Sequence, residues 1–195
     1  MGKTKEKEVL HGFGKHTLSI DTFGTVVNDG YHNAFGDICK WKGHYYLAYR
    51  QAQWHDPTPP GDVVLMRTPV GEPYNWEHVA TLDTGGDDRD PHFIVFDDVL
   101  QMYWGTYYER WQGKTLTNQY VDLITCGSQS RNGTAWSIPY QIYRPQYWMW
   151  GTCQDSHGGV YGMAYHFGGD LVHSLQFLYK ARKQYAKWET LSTAF

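Results

Sequence analysis

Ala34-Phe35-Gly36-Asp37-Ile38, His44-Tyr45-Tyr46-Leu47-Ala48-Tyr49-Arg50, Asp62-Val63-Val64-Leu65-Met66-Arg67 and Trp76-Glu77-His78-Val79-Ala80-Thr81-Leu82 follow one another as four short runs rich in β-branched and aromatic residues. Polar turns bearing glycine or proline separate them, which is the pattern of strands joined by tight connections. The order recurs. A second set runs from His92 to Phe96, Val99 to Trp104, Tyr120 to Cys126 and Trp136 to Ile142. A third runs from Tyr147 to Cys153, Val160 to Tyr165, Ser174 to Tyr179 and Trp188 to Leu191. The tryptophans that lead the closing strands, Trp76, Trp136 and Trp188, lie 60 and 52 residues apart. Four antiparallel strands repeating at this interval are the signature of a β-propeller blade. The expected fold class is therefore all-β: a propeller of four-stranded antiparallel blades, with three of them over 34–82, 91–143 and 147–192. The competing reading is an irregular β-sandwich with coincidental tryptophan spacing.

Composition agrees with strands and turns. Aromatics make up 17% of the 195 residues, with 16 Tyr, 9 Trp and 21 Gly, and no long stretch has a helical period. A net charge of −3 with scattered basic residues gives no footprint for nucleic acid. The opening Met1-Gly2-Lys3-Thr4-Lys5-Glu6-Lys7 lacks an apolar targeting core, and no stretch is apolar enough to form a membrane helix. A cytoplasmic location is the default expectation, and a secreted one holds if the chain is a fragment. Cys39, Cys126 and Cys153 are odd in number and lack metal-type spacing, which argues against a disulfide framework. His157, His166 and His173 show no zinc spacing, so neither metal nor cofactor is expected. Residues 1–15 read as a flexible lead-in and 16–195 as the partial propeller, entered through short strands at 16–20 and 23–27. Asn132-Gly133-Thr134 forms a glycosylation sequon of a kind that arises often by chance.

Propellers carry roughly four to eight blades, so three leave the ring open. Either the chain is a fragment, or exposed blade faces lead it to self-association. In a four-strand meander, the loops entering strand one and joining strands two and three share one face. That set includes Gln51 to Gly61, Thr84 to Asp90, Tyr107 to Asn118 and Arg144 to Tyr147, and it is the richer in reactive side chains.

Asp87-Asp88-Arg89-Asp90-Pro91 stands out within it. Three carboxylates and a guanidinium precede an apolar strand, as a surface ion-pair turn or as the polar floor of a binding site. A mouth lined by acids, arginines, Tyr and Trp suits a carbohydrate, whose apolar ring faces lie on aromatic side chains. Paired carboxylates are also what glycoside cleavage uses. The acid/base candidates are Asp56, Asp90, Asp37 and His55. The substrate contacts expected are Arg50, Asp88, Arg89, Glu109, Arg144, Trp148, Trp150 and Tyr165. Arg50 either pairs with Asp37 or Asp90 or holds a glycan group. Trp148 and Trp150 alternate around Met149, so both are expected on one side of a strand, one in the core and one as a sugar platform.

His32-Asn33-Ala34-Phe35-Gly36-Asp37-Ile38, Trp41-Lys42-Gly43, Tyr49-Arg50, His55, Asp87-Asp88-Arg89-Asp90-Pro91, Tyr147-Trp148-Met149-Trp150 and Tyr161-Gly162-Met163-Ala164-Tyr165 resemble the sialidase-like, BNR/Asp-box six-bladed propellers of bacteria, exo-α-sialidase type. The resemblance covers roughly residues 30 to 195, as the N-terminal half of such a ring. It implies a glycan-acting propeller and a glycoside hydrolase, with non-catalytic glycan binding or protein interaction as alternatives. Ser130-Arg131-Asn132-Gly133-Thr134-Ala135-Trp136 is the best copy of the Asp-box turn, which in that family is structural. Asp56 lies where those enzymes place their acid/base aspartate. Asp37 stands where the first of their carboxylate-binding arginines belongs, and an acid there repels a sialic acid. Gln51 and Gly151 replace the glutamate and arginine expected of the subgroup.

Overall fold

The computed structural model describes residues 9–13, 16–19, 24–108, 122–143, 145–166, 175–179 and 189–194. Contacts divide the chain into two units, Met1–Gly30 and Tyr31–Phe195. In the first, β1 (Val9–Phe13) pairs antiparallel with β2 (His16–Ser19). Part of the stretch read as a flexible lead-in is thus a strand, since Val9, Leu10 and Phe13 supply β character and His16–Ser19 supplies backbone partners. Residues 24–30 carry no strand, where the sequence suggested one over 23–27.

The second unit is three antiparallel four-stranded meanders, and no helix occurs among the described residues. The first sheet holds β3 (His32–Trp41), β4 (His44–Ala52), β5 (Asp62–Pro69) and β6 (Glu77–Leu82) in sequence order. The second holds β7 (Asp87–Phe96), β8 (Val99–Tyr108), β9 (Asp122–Ser130) and β10 (Tyr140–Gln141). The third holds β11 (Tyr147–Gln154), β12 (Val160–His166), β13 (Leu175–Tyr179) and β14 (Glu189–Ala194). This is a partial β-propeller, as the repeat predicts.

Two boundaries differ from the sequence reading. The closing strand of the second blade is only Tyr140–Gln141 rather than 136–142, because Pro139 has no N–H to give a ladder. The inner strand of that blade begins at Asp87 rather than after the charged stretch.

Blades 1 and 2 bury a shared core. Trp41, Tyr46, Ala48, Val63 and Leu65 from one meet Phe93, Leu100, Met102 and Trp104 from the other, with the closing Trp136 packed on its margin. Polar stitches cross the same seam: the Asp88 N–H donates to the Gly61 carbonyl (2.8 Å), and the Phe93 N–H donates to Asp37 Oδ2 (2.9 Å). On the far side of blade 2, Thr125 Oγ1 donates to the Tyr147 carbonyl (2.7 Å) and accepts from the Met149 N–H (3.1 Å).

The turn at 130–136 closes on itself. Ser130 Oγ accepts from the Gly133 N–H at 2.8 Å, and Asn132 Oδ1 accepts from the Thr134 and Ala135 N–H groups at 3.0 and 2.9 Å. Gly133, at φ 78°, lies so close to Tyr46 of blade 1 that a Cβ there would fall 1.8 Å from the phenol oxygen.

Gly105 of β8 gives the sharpest test of blade-to-blade packing. An added Cβ would lie 2.4 Å from Cε2 of the buried Trp148 in blade 3. Gly105→Ala is therefore expected to destabilise the protein by about 1–3 kcal/mol, measured as a lowered midpoint of thermal or denaturant unfolding.

Candidate functional site

Each inner strand breaks its register with the second strand. In blade 1, Ala34 pairs with Arg50 and Asp37 with Ala48, so Phe35 and Gly36 together face the single Tyr49. In blade 2, Arg89 pairs with Gly105 and His92 with Tyr103, so Asp90 and Pro91 face Trp104. In blade 3, Met149 pairs with Ala164 and Gly151 with Met163, leaving Trp150 as the extra residue. These are β-bulges, which re-aim side chains and are over-represented beside active sites. Phe35 and Asp90 occupy matching places and share a left-handed backbone, at φ 56° and 50°. The bulge falls between Trp148 and Trp150, so period two does not carry across it; Trp148 is buried at 5% exposure while Trp150 is 50% exposed.

Beneath the bulges lies a buried charge network. Arg50 is fully buried, and its Nε and Nη2 donate to Asp87 Oδ1 at 2.9 and 2.6 Å. Its remaining donors reach the carbonyls of Trp54 and Asp56, each at 2.9 Å. Asp87 Oδ1 also accepts from the Gly61 N–H at 2.7 Å, and its Oδ2 accepts from Arg89 Nε. Arg89 Nη2 then donates to the His55 carbonyl at 2.8 Å. Two corrections follow. Arg50 pairs with Asp87, not with Asp37 or Asp90, and its burial removes it from direct ligand contact. The acids at 87 and 88 are strand residues whose burial is offset by the arginines, hydroxyls and N–H groups that donate to them.

Asp88 is equally buried, so it too is withdrawn from the surface where a substrate contact was expected. Its Oδ1 accepts from Thr84 Oγ1, Thr106 Oγ1 and Trp104 Nε1, and its Oδ2 from the Thr84 N–H. Burial pushes its pKa from the ordinary 3.8 up to about 6, against the opposing pull of these hydrogen bonds. Asp62, Asp83 and Asp88 each place one ligand atom within 4.8 Å of the others. Asp88's oxygens already accept four hydrogen bonds from protein donors.

Above the network is a mixed polar and aromatic rim. Asp37 is half-buried and held by the Ile38 N–H at 2.8 Å and the Phe93 N–H at 2.9 Å. His92 Nδ1 lies 3.9 Å from Asp37 Oδ2. Burial lowers the His92 pKa, with the charges of Asp37 and Asp90 opposing that shift. Burial raises the pKa of Asp90, with His92, Arg89 and Arg50 opposing and Asp87 adding to the rise. Phe35, His32 and His55 form a ring cluster: the His55 centroid is 5.1 Å from that of His32 and 5.4 Å from that of Phe35. The Arg89 guanidinium carbon sits 5.8 Å from the Phe35 centroid. His55 and Asp56 are exposed on the loop that Arg50 and Arg89 hold by its carbonyls.

The structure thus brings Asp37, Asp90, Arg89 and His55 into one neighbourhood, with Asp56 on its outer loop. Tyr165 lies in β12 opposite Trp148. Glu109 and Arg144 lie outside the described residues. His92, Phe35 and His32 were missed as site residues, and Asp87 as the hub. The signal was present: Phe35-Gly36-Asp37-Ile38 and Asp90-Pro91-His92-Phe93 align at the same place in successive repeats.

No family model matches the chain, and no curated protein matches it. Solved structures do. A protein of unknown function from Dyadobacter fermentans DSM 18053 matches with a TM-score of 0.66 at 16% identity, over 85% of this chain and 56% of that one. Zg3597, a family 117 glycoside hydrolase from Zobellia galactanivorans, gives 0.56 at 16%, over 83% and 46%. The GH32 β-fructofuranosidase BmSUC1 of Bombyx mori, a point mutant in complex with sucrose, gives 0.51 at 14%, over 86% and 41%. The chain spans about half the length of these structures. At such identities the likeness is one of fold.

Two substitutions test the buried network. Asp87→Ala strands the Arg50 charge and is expected to cost about 3–5 kcal/mol in chemical denaturation. Asp88 has a folded pKa above its unfolded value, so its stabilising contribution is complete below pH 3.8 and lost as pH rises through about 6. Relative to Asp88→Asn, the wild type should lose about 3 kcal/mol of stability across that window, read from unfolding curves at stepped pH.

Proposed function

We propose that these three blades belong to a glycan-acting propeller, a glycoside hydrolase whose reacting centre lies at the inner-strand bulges. The observation that carries the reading is the approach of two carboxylates, Asp37 and Asp90, to His92 from neighbouring blades, beneath a rim of Phe35, His55 and Arg89. The fold neighbours lend support: two are glycoside hydrolases, and a third is an N-acetylgalactosamine deacetylase from F. plautii in complex with blood group B trisaccharide, with a TM-score of 0.50 at 13% identity over 84% of this chain and 53% of that one.

Asp90 is the better general acid. Its raised pKa keeps a proton on it at higher pH than an ordinary aspartate. It would protonate the glycosidic oxygen as the bond to the anomeric carbon breaks. Asp37, fixed by two backbone N–H groups, would take a proton from the water that adds to that carbon. Arg89 and the aromatic rim would hold the sugar. Asp56 is the less favoured acid, since it stands exposed on the loop.

The exo-α-sialidase form of the reading needs cations for a substrate carboxylate. Asp37 stands at that position and Arg50 is buried, so a neutral sugar suits the rim better. Propellers need more than three blades, roughly four to eight, and the remaining ones would come from further chain or from a second copy.

The test is hydrolysis of a neutral aryl-glycoside panel and an aryl sialoside by wild type and Asp90→Asn. Asparagine tolerates the left-handed backbone at this position, so the variant should fold normally. Its kcat/KM is expected to fall by about 10²–10⁴-fold. Unchanged turnover in Asp90→Asn removes Asp90 as the acid. Silence of the wild type on every substrate, with binding on a glycan array, assigns a non-catalytic glycan-binding propeller; silence on both assigns a protein-interaction scaffold.

A further inference from the structure

The register breaks in β3, β7 and β11 fall at corresponding places in three successive blades. One irregular strand is a local accident of packing, but the same irregularity repeated from blade to blade is a property of the architecture. In the first two blades the bulge holds a residue with a Cβ in the left-handed region, at φ 56° for Phe35 and 50° for Asp90. A bulky phenylalanine rarely adopts that backbone, and such strain persists where the surroundings enforce it, most often at binding sites. In the third blade the extra residue, Trp150, is half exposed while Trp148 and Met149 beside it are buried. The bulged residues are thus an aromatic ring, a carboxylate and a second aromatic ring, in blade order.

We infer that the repeated bulge builds one cleft running across the three inner strands, in which Phe35 and Trp150 are sugar platforms on either side of Asp90. This rests on the glycan-acting reading and adds a substrate class to it. Neighbouring sheets pack about 10 Å apart, so two platforms separated by two blade steps lie as much as about 20 Å apart. That span exceeds one pyranose ring. The ligand is therefore an oligosaccharide of several units lying across the blades, with an internal linkage over Asp90. Its rings stack their C–H faces on Phe35 at one end and on Trp150 at the other. Around Phe35, the imidazoles of His32 and His55 and the Arg89 guanidinium would offer hydrogen bonds to ring hydroxyls.

The test is titration calorimetry of the full chain with xylotetraose, cellotetraose, blood group B trisaccharide and sucrose, and with xylose and glucose. The variants are Phe35→Leu, Trp150→Ala and, as a control, Ile138→Ala, which alters an 85% exposed side chain in the connection between the third and fourth strands of blade 2. Circular dichroism checks that each variant folds. The expected result is that wild type binds at least one tetrasaccharide tenfold or more tighter than its monosaccharide. Phe35→Leu and Trp150→Ala should each lose most of that advantage, while Ile138→Ala retains it. Two results overturn the inference and leave the glycan-acting reading standing: equal affinity for tetrasaccharide and monosaccharide, or tetrasaccharide binding unaffected by both platform variants. Binding of none of these sugars, nor of any glycan on a printed array, overturns the reading and the inference together.

Discussion

A guanidinium with no exposed surface, locked onto a carboxylate with almost none, ties the first blade to the second. Arg50 comes from β4 and Asp87 from the first position of β7. A buried pair of this kind is not automatically stabilising, because both charges lose their water. Here the cost is offset by added partners: Asp87 also takes Arg89 and a backbone N–H, while Arg50 takes two loop carbonyls. The pair therefore specifies geometry more than it adds stability. It fixes where β7 begins, and with it the position of the bulge that follows three residues later.

The loop from 53 to 61 depends on the same pair. Its backbone carbonyls are met by the two arginines at Trp54, His55 and Asp56, and by the Asp88 N–H at Gly61. Side chains on this loop can face solvent because its backbone is held from beneath. His55 is drawn against His32 and Phe35, and Arg89 of blade 2 donates to its carbonyl, so the two blades meet at this loop. Rigid support below and variable side chains above is the arrangement that binding surfaces on propellers favour.

Much of the architecture is legible in the sequence. Alternating short runs and glycine-bearing turns specify strands, and the tryptophan-led closing strands reveal the repeat. What the sequence hides is pairing. Asp87 and Asp88 read as a surface ion-pair turn or as the floor of a binding site, and the buried pairing stays hidden because their partners lie far along the chain or are hydroxyls: Arg50 is 37 residues away, and Thr106 is 18. A dense charged stretch looks solvated until those partners are known. Period two also does not carry across the inserted residue between Trp148 and Gly151, so the strand's alternation cannot be read through it. The lead-in reads as flexible from its Lys, Glu and Gly content, which masks the apolar Val9, Leu10 and Phe13 of β1.

The bulges have a consequence for how such a chain can change over time. An unpaired residue inside a ladder shifts the phase of the side chains on one side of it only. The stretch running outward toward the hairpin keeps its inward and outward alternation, and therefore its contribution to the core. The residues inserted at the bulges, Phe35, Asp90 and Trp150, stand outside the one-to-one register, so exchanging them leaves the paired positions in place. Blade cohesion and the chemistry of the rim are thereby separated in the covalent chain, the first carried by the paired stretches and the second by the inserted positions.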